Sequence, residues 1–322
     1  MGYAVGLDIG GSWIRAALGD KEGKILRKSV RRVASGSEDQ FISQVIEMVR
    51  EVCRGDPGEV EGVGVGAAGR LDIRRGSIEF SPHTTLSRIP LKETIEAEFR
   101  RPAVVLNDCV AAVMAERMVG AGRGVENLVY IGIGTGIGAG IIVDGRVILG
   151  KDGNAHEVGH MIVDLDGRIA CSCGGIGHWE AYTSGSGIPK YARYLSGGFA
   201  GAGGLIERIR SCGEKVLAKE VFSAAYDGDP FARFVIEEAA EINSKALANV
   251  VNLYDPQTVT IGGGLTLKNP SLTVDPIIRK MPPLCFNVPP SVSVTPLGEE
   301  APLLGALLSA FGSVRSRLIP QL

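Results

Sequence analysis

The apolar and polar positions of the chain repeat one pattern twice. A short apolar run from Ala4 ends in a glycine turn, and a second run with an Asp/Gly turn follows it. The stretch from Leu128 has the same order and continues through Asp144-Gly145 into a third run. Such successions of strand and turn predict β-meanders. The recurrence predicts an internal duplication with two similar halves.

Helical periodicity alternates with short strand-like runs in the rest of the chain. Apolar residues recur at helical spacing over 38–54, where Ser37 is a candidate N-cap. Further helices are predicted over 90–100, 108–119, 187–194, 204–210, 219–226, 230–253 and 302–318. Strands are predicted from residue 60 into a glycine turn at 69, over 103–106 and over 258–261, and 150–177 is predicted to be irregular. This alternation predicts an α/β fold.

Composition and charge exclude several classes of protein. The chain has 34 Lys and Arg against 36 Asp and Glu and no polybasic run, so we expect no nucleic-acid partner. The longest uncharged apolar run, 128–143, contains five glycines and is shorter than the roughly 20 residues of a membrane span, so we expect no membrane partner. Six cysteines are too few for a disulfide scaffold, and no secretory signal is evident, so we expect a cytoplasmic protein with reduced thiols.

Three glycine-rich turns are candidates for nucleotide binding. Asp8-Ile-Gly-Gly-Ser12 places a carboxylate beside backbone amides that suit outer phosphates, and Asp8 suits the accompanying Mg²⁺ through water. A tight hairpin with a capping Asp explains this turn at least as well. The candidates in the three turns are Asp8, Gly10, Gly11, Ser12 and Arg15; Gly134, Thr135 and Gly136; and Gly262, Gly263 and Gly264, where a purine ring could lie. The second turn also fits a dinucleotide fingerprint, but a hairpin pattern rather than a helix follows it, so we reject that interpretation.

Asn107 and Asp108 lie where a predicted strand ends and a helix begins. Asp108 could be only an N-cap, which is common at such positions and is the more frequent case out of context. It could also be a general base that takes a proton from a substrate hydroxyl during attack on a γ-phosphate. The residues alone leave both interpretations open.

Histidines and cysteines cluster between residues 156 and 178. The string His156-Glu157-Val-Gly-His160 matches the HExxH motif of zinc proteases, but Gly159 and the preceding Gly153-Asn154 argue against the helix that this motif needs. His160, Cys171, Cys173 and His178 would instead form a closed tetrahedral Zn²⁺ site of a structural kind. The Cys-x-Cys spacing is tighter than in most zinc fingers, so spacing alone does not decide.

These motifs together resemble the ROK group of repressors and kinases, within the sugar kinase/Hsp70/actin superfamily, and most closely its glucokinase-like hexokinases. The resemblance runs from Asp8 to about Gly305. It is carried by Asp8-Ile-Gly-Gly-Ser12, Gly66-Ala-Ala-Gly69 with Asp72, Asn107-Asp108, Gly132–Gly138, Glu157-Val-Gly-His160, Cys171-x-Cys173-Gly-x-x-Gly177-x-x-Glu180 and Gly262-Gly263-Gly264.

The resemblance implies an actin-like, ribonuclease H-like ATPase fold with two domains, duplicated β-meander cores and a cleft between the domains. It implies ATP-dependent phosphorylation of a hexose, glucose foremost, at the 6-hydroxyl, with Asp108 as the base, Mg²⁺ as a cofactor and a structural Zn²⁺. Its sugar-binding positions in this chain are Gly69, His83, Asn107, Asp108, Glu157, His160 and Glu180. Members of the family are often dimers, which leaves a homodimer open.

Two departures from the family pattern bear on the site. His178 stands where the family usually has a third cysteine, and imidazole is also a good zinc ligand. His83-Thr84 follows Ser81-Pro82 where the family tends to have Asn, which widens the expected substrates to mannose, fructose, glucosamine or an N-acetylated hexosamine.

The resemblance also sets the expected domains and one rival function. The first domain is expected to comprise residues 1–108 with about 306–322, and the second 109–305 with the zinc loop. A sugar-sensing regulator of the same family is the rival, since the family contains repressors. Only seven residues precede Asp8, which leaves no room for the winged-helix segment of a repressor in this chain, and favours the kinase.

Overall fold

The computed structural model describes residues 2–34, 36–54, 60–80, 87–212, 216–320 and 322, and of Cys212 only the backbone. The expected sugar-binding residue His83 lies outside the described residues. The chain divides into two compact units. The first comprises Met1–Tyr130, Gly140–His156 and Thr295–Leu322, and the second comprises Ile131–Ala139 and Glu157–Val294.

Strands and helices alternate through most of the described residues. The strands are β1 (Tyr3–Ile9), β2 (Trp13–Asp20), β3 (Ile25–Arg32), β4 (Val60–Ala67), β5 (Arg70–Asp72), β6 (Ser77–Phe80), β7 (Ala103–Asn107), β8 (Leu128–Ile133), β9 (Ile137–Val143), β10 (Arg146–Val147), β11 (Thr258–Gly262) and β12 (Ser291–Val294). The helices are α1 (Glu38–Val52), α2 (Leu91–Phe99), α3 (Asp108–Val119), α4 (Glu180–Thr183), α5 (Gly187–Ser196), α6 (Gly204–Cys212), α7 (Ala218–Tyr226), α8 (Pro230–Tyr254), α9 (Gly264–Lys268), α10 (Pro270–Lys280), α11 (Ala301–Ser309) and α12 (Gly312–Leu318). Short 3₁₀ turns cover Val158–His160, Pro282–Leu284 and Gly298–Glu300.

The two large sheets share one plan. Their strand orders are β3–β2–β1–β4–β7 and β10–β9–β8–β11–β12, so in each a three-stranded meander is extended by two later strands. In the first sheet β1 is antiparallel to β2 but parallel to β4, and β4 is parallel to β7. Along the chain, β8 and β9 each pass from one unit to the other. The predicted duplication of the meander is confirmed.

Close helix packing in the first unit depends on glycine. Helix α11 lies against α3, β1 and β4. A Cβ atom added to Gly305 on α11 would lie 1.6 Å from the carbonyl oxygen of Ala111 on α3, and one added to Gly64 on β4 would lie 1.8 Å from that of Ala306. Only residues without a side chain permit these approaches. The position of α3 matters because Asp108 is its first residue.

The second unit has a helical core beside its strands. Apolar faces of α5, α6, α7 and α8 meet around buried residues such as Phe222, Phe231 and Val235. Helix α8 is the longest, with 25 residues, and begins where Asp229 Oδ1 accepts a hydrogen bond from the amide of Ala232. Pro230 follows at the first helical position, where its missing N–H costs nothing. No helix in the described ranges is both long and apolar enough to span a membrane.

Local patterns predicted most elements, but one predicted helix is broken and several elements were missed. The helix predicted over 302–318 is broken, since Phe311 is extended (φ −75°, ψ 121°) and α12 starts anew at Gly312. Strands β5, β6 and β12 and helices α4, α9 and α10 were not predicted. Pro270 and Pro276 disguise α10, because a proline inside a helix removes a backbone hydrogen bond and normally ends the pattern.

The compact units do not coincide with the expected domains. Residues 109–130 and 140–156 belong to the first unit by their contacts, whereas the sequence suggested a boundary after residue 108. The reason is packing, since α3 lies against α11 and β4 of the first unit. The domain boundaries of the sequence analysis themselves stay a prediction.

Candidate active site and metal cluster

Three parallel strands of the first unit end at one edge of the sheet. Asp8 on β1 pairs with Gly66 on β4, and Ala67 on β4 pairs with Asn107 on β7. The amide of Ala68 donates to the carbonyl of Ile9 (3.1 Å), which ties the ends of β1 and β4 together. The first glycine turn and the Asn-Asp pair, which are far apart in sequence, are therefore neighbours.

The carboxylate of Asp8 is buried near positively and negatively charged side chains. It is 4% exposed, and its Oδ2 accepts a hydrogen bond from Arg15 Nη1 at 2.8 Å. Burial, and after it the negative charge of Asp108, raise the pKa of Asp8 to about 6 against the opposing effect of Arg15. Asp8, a buried carboxylate with a raised pKa and the negative charge of Asp108 near it, is a donor that a hard cation such as Mg²⁺ would stabilise in its ionised form.

The turn after Asp8 presents backbone amides. The amide of Gly10 donates to the carbonyl of Trp13 (3.0 Å) and closes the turn through Gly11 and Ser12. Ser12 is exposed and its carbonyl accepts from the amide of Val33 (3.0 Å). Arg15 also donates to Glu299 Oε2 at 3.1 Å, so its guanidinium is held beside the turn from two sides.

Asn107, and not Asp108, caps helix α3. Asn107 Oδ1 accepts hydrogen bonds from the amides of Cys109 (2.8 Å) and Val110 (3.4 Å). Asp108 is already helical and half-buried, and its Oδ1 accepts from the amide of Cys109 at 2.8 Å. The interpretation of Asp108 as the N-cap is therefore wrong, because Asn107 is the N-cap of helix α3.

Gly69, at the turn after β4, has φ +115°, a conformation that favours glycine.

The second glycine turn lies next to the third within the second unit. The amide of Gly134 donates to the carbonyl of Gly136 (2.9 Å), with Thr135 at the tip. A Cβ added to Gly134 would lie 3.8 Å from the amide nitrogen of Gly264. Gly263 has φ +90°, and a Cβ added to it would lie 2.5 Å from the backbone of Ile133. A side chain is thus excluded at Gly263, whereas a Cβ at Gly134 would make only an ordinary contact.

The four expected metal ligands come together in the second unit. One ligand atom from each of His160, Cys171, Cys173 and His178 lies within 4.8 Å of all the others. Cys171 Sγ is 3.8 Å and His178 Nδ1 is 3.3 Å from His160 Nδ1, and Cys173 Sγ is 3.2 Å from His178 Nδ1. With Zn–S near 2.3 Å and Zn–N near 2.0 Å, tetrahedral ligands are expected at roughly these separations.

Local backbone structure forms this cluster. The amide of Cys171 donates to the carbonyl of Gly175 (2.8 Å), and that of Gly175 points to Cys173 Sγ (3.5 Å). His160 ends a 3₁₀ turn, and its Nε2 is 3.5 Å from Glu157 Oε2. His156, the first histidine of the HExxH string, is outside the cluster and buried, and burial lowers its pKa to about 4. The zinc-protease interpretation therefore fails, because the string does not form an α-helix and only His160 of its two histidines lies in the cluster.

A network that the sequence did not reveal fastens the metal loop. Arg168 Nε and Nη2 donate to Asp164 at 2.9 and 3.0 Å, and the Tyr182 hydroxyl also donates to Asp164. Although burial opposes ionisation, these hydrogen bonds hold the pKa of Asp164 well below its usual range. The only signal in the sequence is the i,i+4 spacing of Asp164 and Arg168, which is too common to single them out.

The duplicated meanders, with glycine turns at the ends of their strands, define an actin-like ATPase fold. A family model described as "ROK family" matches residues 4–311, and the chain belongs to that family.

Known relatives agree over nearly the whole chain. The chain is 37% identical to a glucokinase of Aeropyrum pernix over 273 residues, 84% of each protein. It superposes on a ROK hexokinase from Thermus thermophilus with a TM-score of 0.83 at 31% identity, covering 98% of this chain and 99% of that one. A ROK family glucokinase from Streptomyces griseus, in complex with glucose and AMPPNP, matches with a TM-score of 0.78 at 31% identity and covers 95% and 98% of the two chains.

Proposed function

We propose that this chain transfers the γ-phosphoryl group of ATP to the 6-hydroxyl of a hexose, with Asp108 as the general base. Its ATP-dependent sugar kinase class follows from the glucokinase relatives and from the homologue that binds glucose and AMPPNP. The observation that carries the role of Asp108 is its charge beside Asp8. A base must lie close to the phosphate-binding turn, and Asp108 is near enough to raise the pKa of Asp8 in that turn.

In phosphoryl transfer the protein contributes mainly the positioning of the reactants and the stabilisation of charge. The amides of Gly11 and Ser12 would hold the outer phosphates, because the Gly10 amide already closes the turn, and Arg15 would be a cation beside them. Asp8 would hold Mg²⁺ through water, and the ion would neutralise charge on the β- and γ-phosphates. Asp108 would accept the hydroxyl proton as the oxygen attacks. In the second unit, the turns at 134–136 and 262–264 would carry the rest of the nucleotide.

The remaining polar residues would orient the sugar. The resemblance assigns hydroxyl contacts to Gly69, Asn107, Glu157, His160 and Glu180, and one to His83. His160 turns Nδ1 toward the metal cluster and Nε2 toward Glu157. A zinc ion on Nδ1 would fix the tautomer and ring orientation, so that Nε2 stays directed away from the cluster for a sugar hydroxyl.

Four further features belong to this proposal. The cysteine and histidine cluster supports a structural Zn²⁺, and the Asp8–Asp108 pair supports Mg²⁺. The cysteines that the structure describes are free, which supports a cytoplasmic enzyme. Its hexose 6-phosphate product would enter glycolysis. The family supports a homodimer, which light scattering of the purified protein would test.

An assay of ADP release with MgATP and a panel of hexoses tests the function. Glucose, mannose, fructose, glucosamine and N-acetylated hexosamines should be compared, because the unusual His83 affects a sugar contact. We expect the highest kcat/KM with glucose and a product that carries phosphate on O6. ADP release that no hexose stimulates, together with sugar binding, would instead favour a sugar-sensing regulator.

A further inference from the structure

Glu180 connects two parts of the second unit that the proposed function treats separately. It is 8% exposed, and each carboxylate oxygen has a different protein partner. Glu180 Oε2 accepts a hydrogen bond from the backbone amide of Ile137 at 2.8 Å, and Oε1 accepts one from Ser172 Oγ at 3.1 Å and lies 3.8 Å from Cys171 Sγ. Ile137 follows the second glycine turn, and Ser172 lies between the two cysteines of the metal cluster. The carboxylate therefore bridges the nucleotide turn and the metal loop.

The other end of the same helix holds the same turn. After α4, the amide of Gly185 donates to the carbonyl of Gly134 (2.7 Å). The amide and hydroxyl of Ser186 both donate to the carbonyl of Thr135, at 3.1 and 3.0 Å. Together with the Glu180 bond to Ile137, these contacts hold Gly134, Thr135 and Ile137 of the segment 134–137.

A hydrogen bond that a backbone amide donates to a buried carboxylate is strong, and it fixes the direction of the amide. The turn at 134–136 can bind phosphate only if its amides keep their orientation, because preorganised donors need no rearrangement when the ligand arrives. The two oxygens of Glu180 keep lone pairs for a further donor, so a sugar hydroxyl does not compete with these bonds.

We propose that Ser172, acting through Glu180, is a positioning residue for the nucleotide turn at 134–137. This inference rests on the proposed function, which assigns nucleotide to that turn and sugar to Glu180. It adds that Glu180 shapes the nucleotide site before any sugar binds, and that a substitution within the metal loop changes nucleotide affinity.

The decisive measurement is the dissociation constant of MgAMPPNP in the absence of sugar, by titration calorimetry on the full-length protein. A residue that only contacts sugar has no effect under this condition. We expect Ser172→Ala to weaken binding about 3- to 30-fold and Glu180→Gln at least as much, because the amide group of Gln has one oxygen in place of two. Ser172→Thr keeps the hydroxyl and should restore affinity.

Two controls separate positioning from damage to the loop. Ile176→Ala alters the same loop at a side chain that is 59% exposed, and we expect unchanged nucleotide affinity. Zinc content per chain, measured by atomic absorption, should be the same in Ser172→Ala as in the parent protein. If Ser172→Ala loses the metal, Glu180→Gln, which keeps all four ligands, decides the question.

Parent-like MgAMPPNP affinity in metal-replete Ser172→Ala, or in Glu180→Gln, would overturn the inference and leave Glu180 as a sugar contact only. Absence of MgAMPPNP binding by the parent protein would also overturn it. The proposed function fails on a different result, namely no stimulation of ADP release by any hexose.

Discussion

Asp108 occupies the first position of a helix, where an acidic residue usually needs no functional explanation. In this protein the capping bonds come from Asn107, so replacing Asp108 should leave helix α3 intact. The prediction is that Asp108→Asn lowers kcat about 10²- to 10⁴-fold, while the KM for hexose and the melting temperature stay close to those of the parent.

Steady-state kinetics and circular dichroism check this prediction. Asp39→Asn, at an exposed acidic residue in the first turn of α1, is the matched control and should retain full activity. A kcat near that of the parent would remove Asp108 as the base.

Asp8 gives a prediction about pH. Its pKa in the folded protein is about 6, above the ordinary value of 3.8, so the folded state binds the proton more tightly than the unfolded state does. Stability should therefore fall as pH rises from about 4 to about 6, by about 3 kcal/mol from this residue in Mg²⁺-free buffer. Asp8→Asn lacks this titration.

The measurement is the free energy of unfolding by urea at several pH values for both proteins. The parent should lose stability relative to Asp8→Asn across that interval, and added Mg²⁺ should restore part of it above pH 6. A difference between the two proteins that does not change with pH would contradict the raised pKa.

At the level of elements, local signals carried most of the prediction and tertiary contacts explain the rest. Helix α1 was predictable because Ser37 and Gln40 form a capping box at the start of an apolar face. The break between α11 and α12 could not be predicted, since it depends on the extended backbone at Phe311. The clustering of the four candidate ligands could be predicted because zinc restricts residue types, and zinc binding itself stays a prediction. The hydrogen bonds of Glu180 could not, because both partners come from distant segments.

The contact between α11 and α3 yields a prediction at this scale. Gly305→Ala would place a methyl group 1.6 Å from the carbonyl oxygen of Ala111, and backbone on both sides must shift. We expect a loss of about 2 to 4 kcal/mol in unfolding free energy, in the range of overpacked or strained cores. Because α3 begins at Asp108, kcat should fall as well.

Gly312→Ala is the matched control for this substitution. Among the described residues, no atom beyond its chain neighbours and its own helix backbone lies within 4 Å of a Cβ added at Gly312, and its φ is not positive. Its stability should be unchanged or raised by up to about 1 kcal/mol. Thermal and urea unfolding of both variants test the pair, and equal stabilities would show that α11 does not need its close approach to α3.

At the scale of the whole molecule, all four residues of the candidate metal cluster belong to the second compact unit. The cluster joins His160 to the loop that carries Cys171, Cys173 and His178, and a zinc ion that binds the folded cluster but not the unfolded chain would add folding free energy to the second unit. The protein has two tryptophans, one in each unit. Trp13 in the first is 43% exposed, and Trp179 in the second is buried and donates to Asn243 at 2.7 Å.

Single-tryptophan proteins therefore allow the metal effect to be located. In Trp13→Phe, fluorescence reports Trp179, next to Glu180 and close in sequence to His178; in Trp179→Phe, it reports Trp13. We expect one zinc per chain, and we expect chelation, or His178→Ala, to lower the melting temperature reported by Trp179 by several degrees. The Trp13 transition should shift less, because its unit contains none of the four ligands. Cys285→Ser, at a cysteine outside the cluster, should behave like the parent. Equal shifts at both tryptophans would mean that the units unfold as one cooperative body, and no shift at either would contradict a structural metal.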